Sequence, residues 1–147
     1  MSSYLQKDLL SSSVDAISIG EGVPGRLPDV TLARVIEFID AHLFDAVSLN
    51  DLAEAAFLSR FHFSRRFLVS TGQSPMSYLQ RRRIERAKML LRAGDHSVSE
   101  IATRLAFADH SHFAKVFRRL AGCSPSAFAQ HDDGDTYHVY RGTKLSA

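Results

Sequence analysis

The strongest constraint on this chain is that its middle is written twice. Ser48-Leu49-Asn50-Asp51-Leu52-Ala53 returns as Ser97-Val98-Ser99-Glu100-Ile101-Ala102, and Phe63 and Phe67 return as Phe113 and Phe117. Gly72-x-Ser74-Pro75-x-x-Tyr78 returns as Gly122-x-Ser124-Pro125-x-x-Phe128. The offset is 49 residues in the first block and 50 in the later two, so the second copy carries one extra residue in its turn. A period near 50 residues suits a solenoid unit, but two copies joined by one long segment do not make an array. The chain therefore reads as a duplicated supersecondary unit.

Local chemistry outlines the unit. Ser48 stands before an apolar-periodic run with Asp51 in its first turn, as a helix N-cap should. Ser59 caps the next helix, which buries Phe63 and Phe67, and Gly72 ends it as a left-handed C-cap. Ser74 and Pro75 open a long helix to about residue 93 carrying Met76, Tyr78, Leu79, Ile84, Ala87, Leu90 and Leu91. Ahead of the first copy, Leu32, Val35, Ile36, Ile39 and Leu43 predict an amphipathic helix over about 30–43. A short helix, a tight turn and a second helix, with small Ala53 or Ala102 at the crossing, form a helix-turn-helix whose second helix can enter a DNA major groove. The glycine commonly preferred in such a turn is replaced by Phe57 and Ala106.

Charge is distributed as unevenly as the repeat is regular. The formal net charge is only +2. Residues 1–58 hold three basic and nine acidic side chains, whereas residues 59–92 hold nine basic ones against Glu85 alone, and residues 93–147 hold six of each. A basic block of this kind points to a polyanion partner, against the plainer reading of a solvated helix face. On the helix after Ser59, Phe61, Ser64 and Arg65 project away from Phe63 and Phe67 and are open to base edges. Arginine can grip guanine O6 and N7 with two hydrogen bonds, and Phe61 can meet a thymine methyl. On the second copy's equivalent helix, about 109–121, His110, Ser111, Ala114 and Lys115 face outward. Candidates for phosphate are Arg60, Arg66, Arg81, Arg82, His112, Arg118 and Arg119, with the helix starts at Ser74 and Ser124 offering backbone N–H groups. Because Arg81, Arg82 and Arg83 fan around one helix, Arg83 is expected to turn inward, toward Glu37 or Asp40 for example.

The ordered series of motifs over about residues 30–130 resembles the DNA-binding domain of the AraC/XylS family of transcription regulators. It rests on Ser48-x-x-x-Leu52-Ala53, Ser59 to Phe67, the Gly72 to Tyr78 corner, Arg83-Ile84-x-x-Ala87-x-x-Leu90-Leu91, and their second-copy equivalents including Phe107 and Ser111-x-Phe113-x-x-x-Phe117. The resemblance implies an all-α domain of seven helices: two helix-turn-helix subdomains, about 48–72 and 97–122, joined by a long linking helix, about 74–93. It implies base reading by Phe61, Ser64 and Arg65 in the first unit and by His110, Ser111 and Lys115 in the second. It implies double-stranded DNA as partner, and RNA polymerase as the contact through which an activator works. The chain departs from the family in one place: Leu68 and Val69 follow Phe67 where lysines are common.

Other chemistries fare worse. Gly20-Glu21-Gly22-Val23-Pro24-Gly25 fits G-x-G-x-x-G, but Pro24 and Pro28 oppose the helix that a dinucleotide site requires. There is no G-x-S-x-G or H-E-x-x-H pattern, so no enzyme is expected. Asp109, His110 and His112 do not share one helical face, and one cysteine, Cys123, builds neither a disulfide nor a zinc site; no metal or other cofactor is expected. No apolar run approaches the length of a membrane span and no secretory signal opens the chain, so a cytoplasmic location is expected. Residues 1–28 read as a flexible arm with a short strand at Val14–Ile19, and 131–147 as a polar tail; with 29–130 taken by the domain, the remainder is too short for a separate sensor domain, which leaves either a stand-alone DNA-binding protein or the C-terminal part of a longer regulator. The sequence thus predicts a sequence-specific regulator, an activator, bound to DNA as a monomer on two unlike half-sites. The competing class is a helix-turn-helix module that has kept only protein contacts.

Overall fold

The computed structural model describes residues 25–131, which form seven α-helices; no strand occurs among the described residues. They are α1 (Asp29–Ala41), α2 (Leu49–Ala55), α3 (Arg60–Thr71), α4 (Pro75–Ala93), α5 (Val98–Arg104), α6 (His110–Ala121) and α7 (Pro125–Gln130). The chain divides into two compact units between Leu79 and Gln80, inside α4. The strand expected at Val14–Ile19, the Gly20–Gly25 motif except its last residue, and the tail beyond residue 131 lie outside the described residues.

Short polar side chains start the helices, and the two copies use the same devices. Ser48 accepts from the Asp51 backbone N–H while the Asp51 carboxylate takes the Ser48 N–H at 2.8 Å, a reciprocal capping box. Ser97 and Glu100 repeat it, with the Ser97 N–H to Glu100 Oε2 bond at 2.7 Å. These bonds stabilise the ionised carboxylates and hold both Asp51 and Glu100 below the usual carboxylate range. Ser59 caps α3 and Ser124 caps α7 through their hydroxyls. Gly72 and Gly122 end α3 and α6 at φ of 76° and 86°, the left-handed region open to glycine.

In the first unit, Val35 and Ile39 of α1, Leu52 and Ala53 of α2, Phe63 and Phe67 of α3, and Leu79 are fully buried. Phe67 meets Phe63 at 5.4 Å and Tyr78 edge-on at 5.4 Å. In the second unit Ile101, Leu105, Phe113 and Phe117 are buried, Phe117 meeting Phe113 at 5.7 Å and Phe128 edge-on at 5.5 Å. The repeat in sequence is thus a repeat in packing, with tilted and T-shaped ring pairs at matching positions. Leu27 extends the first core beyond the expected boundary. Assigned to the arm from its neighbouring Gly25 and Pro28, it is 3% exposed and its N–H donates to Ser70 Oγ at 2.8 Å.

The turns resolve the missing glycine. Phe57 and Ala106 both adopt φ of 57°, the only non-glycine residues with positive φ among those described. Around Phe57, the Leu58 N–H bonds Ala53 O at 3.0 Å and the Phe57 N–H bonds Glu54 O at 3.0 Å. Around Ala106, Phe107 bonds Ala102 O and Ala106 bonds Thr103 O, each at 3.1 Å. This is the Schellman pattern, which normally places glycine at the left-handed position. Here the hydrogen bonds and the buried Leu58 and Phe107 that follow hold an L-residue there instead. The second copy's extra residue is Ala108, between that turn and the Asp109 cap of α6.

Candidate nucleic-acid interface

The second helix of each unit carries a buried face and an open one, set by the 3.6-residue period. On α3 the open face is Phe61, Arg65, Leu68 and Val69, with Ser64 half-buried beside it. Phe61 is 65% exposed, so it is not a core residue, and the Arg65 guanidinium lies over its ring at 5.6 Å. This cation–π contact narrows the positions the long arginine side chain samples. The α3 helix holds three arginines and no carboxylate: Arg60 and Arg65 are exposed, and Arg66 is half-buried and engaged within the protein.

On α6, Phe113, Val116, Phe117 and Ala121 are buried. His110, Ser111, Lys115, Arg118 and Arg119 are exposed, and with Ala114 they line one shallow, open depression of about 520 Å³. The structure therefore brings together the three residues expected to read bases in this unit and two of the arginines expected at phosphates. Arg119 also reaches Gln80 Oε1 of α4 at 3.4 Å. Gln80 gives no local sign of this in the sequence, because the pair is 39 residues apart. His112 is exposed and its ring packs against Phe107 at 5.6 Å. Its backbone N–H donates to Asp109 Oδ1 at 2.7 Å, which makes Asp109 the cap of α6. Among the described residues no group of three or more histidine, cysteine, aspartate or glutamate side chains could hold a metal ion.

On α4, Arg81 is exposed, Arg82 is half-buried, and Arg83 is 7% exposed, the buried charged side chain among the described residues. Burial removes Arg83 from any surface, as the fan of three arginines required. The helix starts at Ser74 and Ser124 are partly occupied. Ser74 Oγ accepts from the Ser77 N–H at 3.3 Å and Ser124 Oγ from the Ala127 N–H at 3.1 Å. Since Pro75 and Pro125 have no N–H, each start keeps one backbone donor in its first turn, at Met76 and Ser126.

A family model described as a helix-turn-helix domain matches residues 52–131, which is more than half of the chain. A probable AraC family transcriptional regulator from Rhodopseudomonas palustris superposes on it with a TM-score of 0.64 at 27% identity, over 71% of this chain and 98% of that one. The chain belongs to the AraC family. Among AraC-family relatives, the transcriptional activator RhaS of Escherichia fergusonii is 38% identical over 105 residues, 71% of this chain and 38% of its own length. This chain spans little more than a third of the length of the curated relatives it matches. The DNA-binding domain of the global transcriptional factor AdpA, solved with a target DNA, matches with a TM-score of 0.63 at 32% identity, over 80% of this chain and 98% of that domain. These likenesses make the chain a two-unit helix-turn-helix domain of a regulator family. None of the described helices is long and apolar enough to cross a membrane.

Proposed function

We propose that this chain is a sequence-specific, DNA-binding transcription regulator that places α3 and α6 in successive major-groove segments of one asymmetric site. The observation that carries this reading is the open face of α6. His110, Ser111 and Lys115 stand exposed side by side with Arg118 and Arg119, while the opposite face of the same helix is consumed by the core. Three side chains that donate hydrogen bonds to base edges, flanked by two that neutralise phosphate, are the composition a groove-reading helix needs. Because α3 presents different residues, Phe61, Ser64 and Arg65, the two half-sites differ in sequence. One copy of the chain then suffices for the whole site, and the protein acts as a monomer on DNA.

Phosphate is gripped by Arg60, Arg66, Arg81, Arg82, His112, Arg118 and Arg119 and by the helix starts at Ser74 and Ser124. Likeness to the transcriptional activator RhaS supports activation; contact with RNA polymerase, in the cytoplasm, is part of this proposal. The test is selection of a duplex from a random library followed by a salt titration of its affinity. The six arginines alone, at one phosphate each, predict a loss of roughly a thousandfold between 50 and 200 mM salt. Equal affinity for all duplexes, or no binding at low salt, would overturn the proposal and leave a protein-contact module.

A further inference from the structure

The two recognition helices have matching cores, and their open faces share a central cation, Arg65 matching Lys115, but differ on either side of it. Across the repeat, Phe61 corresponds to Ser111, Leu68 to Arg118 and Val69 to Arg119. The α3 residues are all apolar and exposed, at 65%, 48% and 53%. Phe61, Arg65 and Leu68 fall within about 60° of one another around the helix, since steps of four and seven residues nearly close whole turns. The stripe is apolar at both ends and cationic in the middle, on a helix that has no carboxylate. A protein partner for the exposed Arg60 and Arg65 would need compensating acidic groups. The DNA major groove supplies that charge from its phosphates, and thymine is the base that places an apolar group, its C5 methyl, on the groove floor.

Building on the proposed DNA reading, we propose that α3 is a thymine-methyl reader: Phe61 and Leu68 recognise thymines in the half-site of the first unit, while the second unit supplies most of the phosphate-dependent affinity. Phe61 and Leu68 lie about 10 Å apart along the helix. Two turns of helix therefore bring them to different base pairs of the groove. Arg65, held over the Phe61 ring, reads a purine between them. The missing lysines after Phe67 are then a change of readout, from phosphate charge to methyl contact.

Replacing thymine with deoxyuridine removes the methyl and nothing else. The experiment uses the full chain and a duplex selected from a random library, substituted one thymine at a time. Arg65→Ala and Lys115→Ala identify which half each helix reads. Deoxyuridine at two positions of the α3 half should weaken binding roughly three- to fivefold each, the worth of one buried methyl, and should have no effect in the α6 half. Phe61→Ala should erase the response at one position and Leu68→Ala at the other. Leu68→Arg should steepen the salt slope by about 0.9, one added phosphate contact. Specific binding that ignores deoxyuridine in the α3 half, or a response that survives both alanine variants, would overturn the inference while leaving the regulator reading standing. Variants that alter self-association in sedimentation but leave the deoxyuridine response intact would assign the stripe to a second copy and overturn it too. Failure to select any duplex would sink both.

Discussion

Ala106→Gly should make this protein more stable, although it removes atoms from a well-packed turn. Ala106 sits at φ 57°, where the methyl of an L-residue crowds the following carbonyl at a cost of about 1–2 kcal/mol. Glycine relieves that strain. Two terms oppose it. Glycine gives the unfolded chain extra freedom worth about 0.4–1 kcal/mol. The methyl is only half-buried, so of the roughly 0.8 kcal/mol for a fully buried carbon, about half is lost. The balance is a gain of about 0.5 kcal/mol. Gly72→Ala runs the same argument backwards. Its φ is 76° and a Cβ there would meet nothing within 4 Å, so no packing term enters and the loss should be about 0.8 kcal/mol. Urea unfolding followed by far-ultraviolet circular dichroism measures both. A rise in midpoint for Ala106→Gly and a fall for Gly72→Ala, at constant slope, is the expected result. If Ala106→Gly unfolded at lower urea than the parent, packing of the methyl would outweigh the strain, and the backbone account of this turn would be refuted.

Other consequences follow from the same geometry. Phe117→Ala removes a ring that is fully buried between Phe113 and Phe128, and should cost about 3–5 kcal/mol by chemical denaturation. Asp51 and Glu100 are held ionised by their caps, with folded pKa values lowered. They therefore contribute stability that is full above the usual carboxylate range, about pH 4, and that fades as pH falls through their lowered values. The double variant Asp51→Asn, Glu100→Gln should be less stable at neutral pH and lose less on acidification, and an unchanged acid limb would contradict the cap assignment. Lys115→Ala should relax preference at one or two base positions, by about 1–3 kcal/mol of discrimination in base-resolved binding profiles. Arg119→Ala should weaken all sequences alike and lower the salt slope by about 0.9.

Features decided within four or five residues were legible in the sequence. Ser48, Ser59, Ser97 and Ser124 announce helix starts because a side-chain oxygen can satisfy a nearby N–H, and Gly72, Gly94 and Gly122 announce stops because each takes positive φ. Outward and inward faces of α3 and α6 followed from period alone. Part of what escaped depends on partners far along the chain. Leu27 looked like part of an arm because its bond to Ser70 spans 43 residues. Phe57 and Ala106 could be seen to replace glycine, but whether the turn would change shape or the residue would bear the strain is settled by the flanking Leu58 and Phe107, which anchor it. Beside two histidines Asp109 resembles a metal ligand in the sequence, yet its local role as a cap has the same short-range signature as Ser59.

The paired phenylalanines have an evolutionary consequence. What each second helix gives to its core is carried by one side, and the two copies keep that side nearly unchanged: Phe63 and Phe67 in one, Phe113 and Phe117 in the other. The opposite sides share the cation at Arg65 and Lys115 and otherwise differ, Phe61, Leu68 and Val69 against Ser111, Arg118 and Arg119. Exchanges at exposed positions ordinarily shift stability by no more than about 0.5 kcal/mol. On the proposed two-half reading, a lineage carrying this scaffold can therefore rewrite the address one half responds to, by single steps, while the other half holds the complex in place and neither risks unfolding.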